Sequence, residues 1–459
     1  MKREHSVHGH FPIIAAYHLH EVLSSPPQLT FSQLPLPICF LQENTFKFMM
    51  CKSWRTYLLW FAQEHIDFRY AEIESLLSLF NIEMKFSEKP SNEPYWIVEF
   101  ASENDVKLLA SRSVSLRNCI ELWGHANNLQ KLHEKLKFYP QNLIDQYFQP
   151  DKSFKIEVET FCKHFTQKEK VNKIETFSYL PVQGPVSLTN PDVTLQYIEY
   201  YGVVANNPPE LPYMVFFWKM ASGLRQLMKK LSLKTRKFIG NTSMDPQLSL
   251  LMANQAKIRE KDESIKANME QYKVEHKYVD VLVNDFSMPF WRDGVEFDAI
   301  ITDPPYGIRE STERVGTVKE NYTISEEHLS THVPAKIEYG ISSIYKDLLL
   351  FSAKHLRNGG RLVCWFPVYR EDYDEGCLPS HSCMKLVANC EQGLSKVTSR
   401  RLLTFEKVRQ PTTEELDMNH DNIMDFREKY FVLREETRKE RRTQEAKIRE
   451  ENRLKHRKK

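Results

Sequence analysis

Glycine is scarce in this chain of 459 residues, which holds only 14 of them where about 7% is usual. Gly359 and Gly360 are the one adjacent pair, and no Gly-x-Gly occurs anywhere. The dinucleotide fingerprint and the phosphate-cradling P-loop both need closely spaced glycines for close backbone approach, so both are excluded. Eight cysteines are scattered without a Cys-x-x-Cys pair, which excludes a zinc ribbon and a thioredoxin-type redox motif. Cys377, His381 and Cys383 cluster, but no second pair stands nearby, so no metal site is expected. No apolar run approaches the ~18 residues of a membrane span, and the stretch from Phe11 to Tyr17 is too short and His-flanked for a signal peptide. A cytoplasmic protein is expected. Neither sign of charge dominates: 63 Lys and Arg face 61 Asp and Glu, a net charge of +2. Nucleic acid cannot be held by bulk charge, so any such contact has to be local.

An apolar content of 41% over this length implies two or three globular domains. Residues 1–53 carry five early histidines and the prolines Pro26, Pro27, Pro35 and Pro37 without periodicity, which predicts a mobile extension. From Trp54 the pattern changes. Tyr57 to Ala62, Tyr95 to Phe100 and Ile120 to Trp123 read as strands, while Ile73, Leu76, Leu77 and Phe80 fall at helical spacing. This predicts a small α+β layer over 54–150. A second α/β unit over 151–235 has an alternating strand at Phe154 to Phe161, a helix near Gln167 to Phe177, a strand at Met214 to Trp218 and a basic helix from Leu224 to Leu231.

The rear half has a different rhythm. Val279 to Val283, Phe297 to Ile301 and Leu362 to Phe366 are short continuous apolar runs, and Ile344 to Leu356 is an amphipathic helix expected to stop at Asn358, Gly359 and Gly360. Runs apolar on both faces predict strands covered on both sides, the parallel doubly wound α/β class. Arg434 to Lys459 holds twelve Lys or Arg against six Glu, a basic tail.

One strand empties directly into Asp303-Pro304-Pro305-Tyr306, a tetrapeptide whose chance occurrence in such a chain is roughly 0.2%. Residues at the carboxyl end of a parallel strand project into the crevice where α/β sheets bind ligands. An ionised Asp303 only accepts hydrogen bonds, and the Pro304 carbonyl adds a second acceptor held by two consecutive fixed φ angles. Two rigid acceptors can bind both hydrogens of an exocyclic amine and orient its nitrogen towards an electrophile. Tyr306 offers a flat face to an unstacked base. The blander alternative is that Asp-Pro-Pro merely ends a strand.

The segment Phe297 to Arg309, FDAIITDPPYGIR, resembles the catalytic motif of amino-group methyltransferases that use S-adenosylmethionine. With Phe238 to Asn254, Asn389 to Arg401, Phe426 to Phe431, and Trp54 to His65 and Glu121 to His125 in front, the chain is similar to the catalytic subunit of the eukaryotic tRNA (guanine-N2)-methyltransferase family that modifies guanosine 10. The resemblance implies a Rossmann-like class I methyltransferase domain over 236–431, preceded by a ferredoxin-like domain over 54–150 and a THUMP domain over 151–235 that grips tRNA, with a basic tail over 432–459. It implies S-adenosylmethionine as cofactor and a small zinc-binding activator protein as partner. Carried over, Asp303 and Pro304 hold the guanine amine in the Asp303 to Tyr306 motif, and Tyr306 stacks on the base. By the same resemblance Asp285 would accept from the cofactor's adenine amine, or else merely end a strand at the surface; Phe286 would flank the adenine, or simply pack; and Thr242 and Met244 match the loop before the pocket. Lys229, Lys230, Lys234, Arg236 and Lys237 form a basic run between the halves where RNA could bridge both, or else a solvated linker.

The chain departs from that family between Asn254 and Ser264. A first strand, a glycine-rich loop, a helix and a second strand ending in an acid are expected there; a charged stretch, Lys257 to Glu263, stands instead. The Rossmann-like sheet is therefore expected to lack its first two strands, with Val279 to Val283 as one candidate to pair with Phe297 to Ile301. Two further readings stay open: a tRNA- or activator-binding variant without turnover, and a DNA amino-methyltransferase, which the front half disfavours.

Overall fold

The computed structural model describes residues 14–17, 54–203, 212–235, 243–258, 285–288, 291–308, 312–318 and 335–416; for 14–17, 213–222 and 226 it describes backbone alone. The strands are β1 (Ile14–Tyr17), β2 (Arg55–Phe61), β3 (Met84–Phe86), β4 (Tyr95–Phe100), β5 (Leu116–Ala126), β6 (Phe154–Phe161), β7 (Val193–Tyr200), β8 (Tyr213–Ser222), β9 (Phe297–Thr302), β10 (Glu313–Val315), β11 (Lys336–Glu338), β12 (Leu356–Tyr369), β13 (Met384–Gly393) and β14 (Thr398–Lys407). The helices are α1 (Arg69–Phe80), α2 (Glu103–Arg112), α3 (Leu129–Phe138), α4 (Gln141–Ile144), α5 (Gln167–Glu175), α6 (Arg225–Lys230), α7 (Pro246–Gln255) and α8 (Ile341–His355).

The front half is built on one seven-stranded sheet in the order β3-β4-β2-β5-β8-β7-β6, parallel only between β6 and β7. It runs without a break across residue 150, because β5 pairs with β8. The apolar spacing read in the sequence explains the local elements: Ile73 and Leu76 of α1 bury against Leu59, Phe61 and Val98 of the sheet. That helix stops where Asn81 adopts a left-handed φ of 54°, a conformation asparagine tolerates better than most residues. On α5, Thr166 and Glu169 cap each other reciprocally, an arrangement contributing about 1 kcal/mol.

The rear sheet has five strands in the order β1-β9-β12-β14-β13. As expected, it is covered on both faces. Leu362, Cys364 and Phe366 of β12 point to α8, packing with Tyr345, Leu348 and Leu349. The alternate residues Val363 and Trp365 point the other way, to Leu248, Leu251 and Met252 of α7. Phe68, Ala71 and Val114 of the front half join this second face, so the two halves share a core.

Several expectations need correction. Among the described residues only β9 and β12 pair in parallel in the rear sheet; β1, β14 and β13 run antiparallel to their neighbours. The helix ending in α8 stops at His355, and Asn358 to Gly360 lie inside β12. Gly359 has a φ of +79°, and the β9–β12 register shifts between Leu356 and Arg361. The glycine pair therefore marks an irregularity within a strand rather than a helix cap. The expected extension contributes a strand, since Ile14, Ala15 and Ala16 pair with Ile301, Ile300 and Ala299. The other candidate for that edge, Val279 to Val283, lies outside the described residues. Strands β7, β13 and β14 went unread in the sequence. No described helix is long and apolar enough to cross a membrane.

Candidate active site

The site lies where β9 and β12 end side by side. Their parallel register pairs Thr302 with Cys364, so Asp303 leaves the sheet beside Trp365. The turn that follows closes at Gly307, whose φ of 72° suits glycine. Pro304 is buried, and Asp303, Pro305 and Tyr306 are half-buried. The Tyr306 ring packs against both core clusters of the rear half, and its hydroxyl donates to Asp303 Oδ1 at 2.5 Å.

A second group completes the site from a strand far along the chain. Arg400 of β14 donates through Nη1 to Asp303 Oδ2 at 3.1 Å. Its guanidinium sits 4.0 Å from the centre of the Trp365 ring, and its Nε donates to Gln392 Oε1 at 2.7 Å. Both orientations of the cation are thereby held, one by a ring and one by an amide. Burial pushes the Asp303 carboxyl above its ordinary value, against the opposing pull of Tyr306 and Arg400. Burial also raises Tyr306 far above the usual phenol range, aided by the neighbouring Asp303 charge, so Tyr306 remains a donor. What the arrangement offers is a carboxylate with one third of its side chain exposed, fixed at each oxygen by one donor and still able to accept from a ligand.

The expected cofactor-binding residues are partly brought to this region. Asp285 accepts from the Ser287 amide and hydroxyl on Oδ1, at 2.9 and 2.7 Å, and from the Val315 amide on Oδ2. Burial opposes its ionisation, but these donors outweigh it and hold its carboxyl below the ordinary value. Phe286 packs against Phe351 of α8, with ring centres 5.2 Å apart. Met244, just before α7, packs against the same buried cluster as Tyr306, the one that holds Trp365. Thr242 lies outside the described residues.

Of the basic run, Lys229 and Lys230 at the end of α6 and Lys234 beyond it are exposed. Arg225 anchors that helix to the front half through Glu64 at 3.0 Å and the Val114 carbonyl at 3.3 Å. Arg236 and Lys237 lie outside the described residues. The Cys383 amide donates to His381 Nδ1 at 3.2 Å, and no group of potential metal ligands occurs among the described residues.

Arg400, Trp365 and Gln392 were not singled out from the sequence. The run Ser399-Arg400-Arg401 was visible, but no local pattern tells which arginine turns to a carboxylate 97 residues earlier.

A buried polar seam fixes the front half against this site. Glu72 of α1 is fully buried and accepts from the Val114 amide at 2.8 Å, from the Ser115 amide at 3.1 Å, from the Ser113 hydroxyl at 2.9 Å and from Asn254 Nδ2 of α7 at 2.8 Å. Arg361 of β12 donates to Ser75 Oγ at 2.9 Å and the Gln255 carbonyl at 2.8 Å, and pairs with Glu406 at 2.9 Å.

Comparison with known proteins places this geometry in a lineage. Residues 55–224 match the family model described as the Tmrp11 THUMP N-terminal domain. The chain is 40% identical over 435 residues to the tRNA (guanine(10)-N(2))-methyltransferase TRMT11 of Gallus gallus, covering 82% of this chain and 94% of that one. It is 30% identical over 437 residues to the tRNA (guanine(10)-N(2))-methyltransferase of Saccharomyces cerevisiae, covering 82% and 99%. Among solved structures, TrmN from Thermus thermophilus aligns with a TM-score of 0.30 and 15% identity over 77% of this chain and all of that one. The 435 aligned positions exceed the 82% of 459 residues that this chain supplies, so the relative carries a stretch lacking here, in keeping with the departure after Asn254. With identity of this depth running through both the THUMP N-terminal match and the strand that ends in Asp303, the chain belongs to the tRNA (guanine(10)-N2)-methyltransferase family.

Proposed function

We propose that this chain methylates the exocyclic N2 amine of guanosine 10 in tRNA, with S-adenosylmethionine as donor, as a catalytic subunit partnered by a small zinc-binding activator protein. Family membership supports the reaction, and the geometry that carries it is the Asp303 carboxylate at the tip of β9, held by Tyr306 and Arg400 and one third exposed. In this reading residues 54–150 and 151–235 form the ferredoxin-like and THUMP-like parts that bring tRNA to the domain spanning 236–431.

Asp303 and the Pro304 carbonyl accept the two amine hydrogens, so the nitrogen lone pair stands perpendicular to the base plane and faces the donor. A flipped guanine rests against Tyr306. S-adenosylmethionine, when bound, would supply an electrophilic sulfonium methyl, the broken S–C bond's electron pair leaving on the neutral thioether. As the new N–C bond forms the amine becomes cationic, and Asp303 is placed to take its proton. The residues present fit the adenine end of that cofactor: Asp285 retains acceptor capacity after its bonds from Ser287 and Val315, and Phe286 offers an adjoining ring. The exposed Lys229, Lys230 and Lys234 are available to RNA phosphates, and Arg236 and Lys237 continue the same basic run in the sequence.

The test is methyl transfer from labelled S-adenosylmethionine to tRNA, with and without the activator, and mass analysis for N2-methylguanosine. Appearance of that nucleoside at position 10 bears the reading out. Binding of tRNA with no transfer under either condition would instead establish a chain without turnover.

A further inference from the structure

The acceptors and donors around Asp303 come in a definite order. Tyr306 marks the Oδ1 side and Arg400 the Oδ2 side, so the order of polar atoms is Oδ1, Oδ2, Nη1: acceptor, acceptor, donor. The pairing edge of guanine runs N2–H, N1–H, O6: donor, donor, acceptor. The two are complementary in the way that cytosine is complementary to guanine. We propose that Arg400 is a specificity-determining residue, donating to guanine O6 while Asp303 accepts from N1–H and N2–H, so that the pair reads the base to be modified. The proposal deepens the methyltransferase reading above and rests on it for the identity of the substrate.

Three observations support the assignment. Arg400 lies directly beside the carboxylate, at 3.1 Å, so one base can reach both. Its guanidinium is held over Trp365, its Nε is occupied by Gln392, and its Nη end bonds Asp303 and the Tyr306 hydroxyl; the remaining Nη hydrogens stand beside Asp303 to meet a ligand, and a preorganised fork loses little freedom on binding. Asp303 keeps one third of its side chain exposed while Arg400 is largely covered, at 14%, a partly shielded setting in which an unmatched polar group costs most. The same edge rejects adenine, whose N1 lone pair would face a carboxylate oxygen and whose N6 amine would face the cation. Pro304 remains free to take the second hydrogen of the N2 amine, so reading the base and orienting its nitrogen are compatible.

Replacing the target guanosine with 2,6-diaminopurine tests this, because that base retains the 2-amine but presents an acceptor at N1 and an amine at C6. The affinity of the full chain is measured for a short single-stranded RNA carrying either base, which needs no turnover. Wild type is expected to prefer guanine by about tenfold or more, as a good multidentate base contact does, and Arg400→Met to bring the two affinities within about twofold at an unchanged thermal midpoint. Gln392→Leu, which leaves the cation in place but frees its Nε, is expected to lose a fewfold of the preference, and it decides the matter if Arg400→Met does not fold. Arg400→Met retaining the full preference, or wild type showing none, overturns the proposal, as does Gln392→Leu with unchanged preference when Arg400→Met cannot be obtained. Absence of methyl transfer by wild type would count against the activity alone, since the affinity comparison is read separately.

Discussion

The two sheets of this protein solve the problem of their edges differently. The front sheet is assembled from strands that follow one another between Arg55 and Ser222, each paired with a neighbour of the same half. The rear sheet takes its outermost strand, Ile14–Tyr17, from before the front half even begins. An open strand edge exposes a row of unpaired amides and carbonyls, and apolar extended chain within reach is drawn onto it. The comparison teaches that the shortened rear half keeps the part of its sheet that carries Asp303 while covering the margin beside it by pairing with a remote segment. The candidate site lies on the sheet with the borrowed strand, and the match to the THUMP N-terminal domain on the one that needs none.

The sharpest way to separate the two regions is to remove the carboxylate. Asp303→Ala is expected to lower methyl transfer by about 10²–10³-fold or more while tRNA affinity stays nearly unchanged, measured by turnover and by equilibrium binding. Near-normal turnover would dissociate the reaction from this site. A pH profile sharpens the same point. Asp303 must be ionised to accept, and burial lifts its carboxyl above the ordinary 3.8; activity should therefore fall as pH drops through a value higher than that. Arg400→Met removes a neighbour that holds the carboxyl down, so this acid limb moves further towards neutral pH.

A substitution at the seam should uncouple the halves. Glu72→Ala leaves the Val114 and Ser115 amides and Asn254 without their buried acceptor, costing about 3 kcal/mol. Denaturant unfolding is expected to show the rear half melting at lower denaturant than the front, where wild type shows one transition. An unchanged midpoint would mean that water replaces the carboxylate at no cost.

Reversing Lys229 and Lys230 to Glu acts on the front half alone. Affinity for tRNA should weaken a fewfold to tenfold, and the slope of log affinity against log salt should fall by about 1.5. Equal salt slopes in wild type and variant would make that helix end a solvated surface. The smallest effect is local: Ala15→Pro disrupts the borrowed strand, and amide exchange at Ala299 to Ile301 should quicken while β2, β4 and β5 keep their protection.

Much of this architecture was legible residue by residue. The strands at Tyr95 to Phe100 and Phe154 to Phe161 appear where their apolar patterns put them, because alternation is a local property of a half-buried strand. β13 and β14 escaped notice, since Lys385, Glu391, Arg400 and Arg401 interrupt them with charge. Those charges make sense only in three dimensions, where Arg401 lies 3.8 Å from the centre of the Tyr373 ring and pairs with Glu391. The glycine pair at 359–360 misled for a related reason: a left-handed residue suits a helix end and a strand irregularity equally well.

By itself the sequence determined that a buried strand ends in Asp303-Pro304-Pro305-Tyr306, that the glycine loop of the family is missing, and that basic residues gather near 229–237. These are features of composition and short-range spacing. Only the tertiary structure decided that Arg400 and Trp365 stand beside Asp303, that Glu72 ties the halves together, and that Ile14–Tyr17 covers the edge of β9. Each of those joins residues far apart in the chain, and the free energy selecting such partners comes from burial and hydrogen bonding that exist only once the chain has folded.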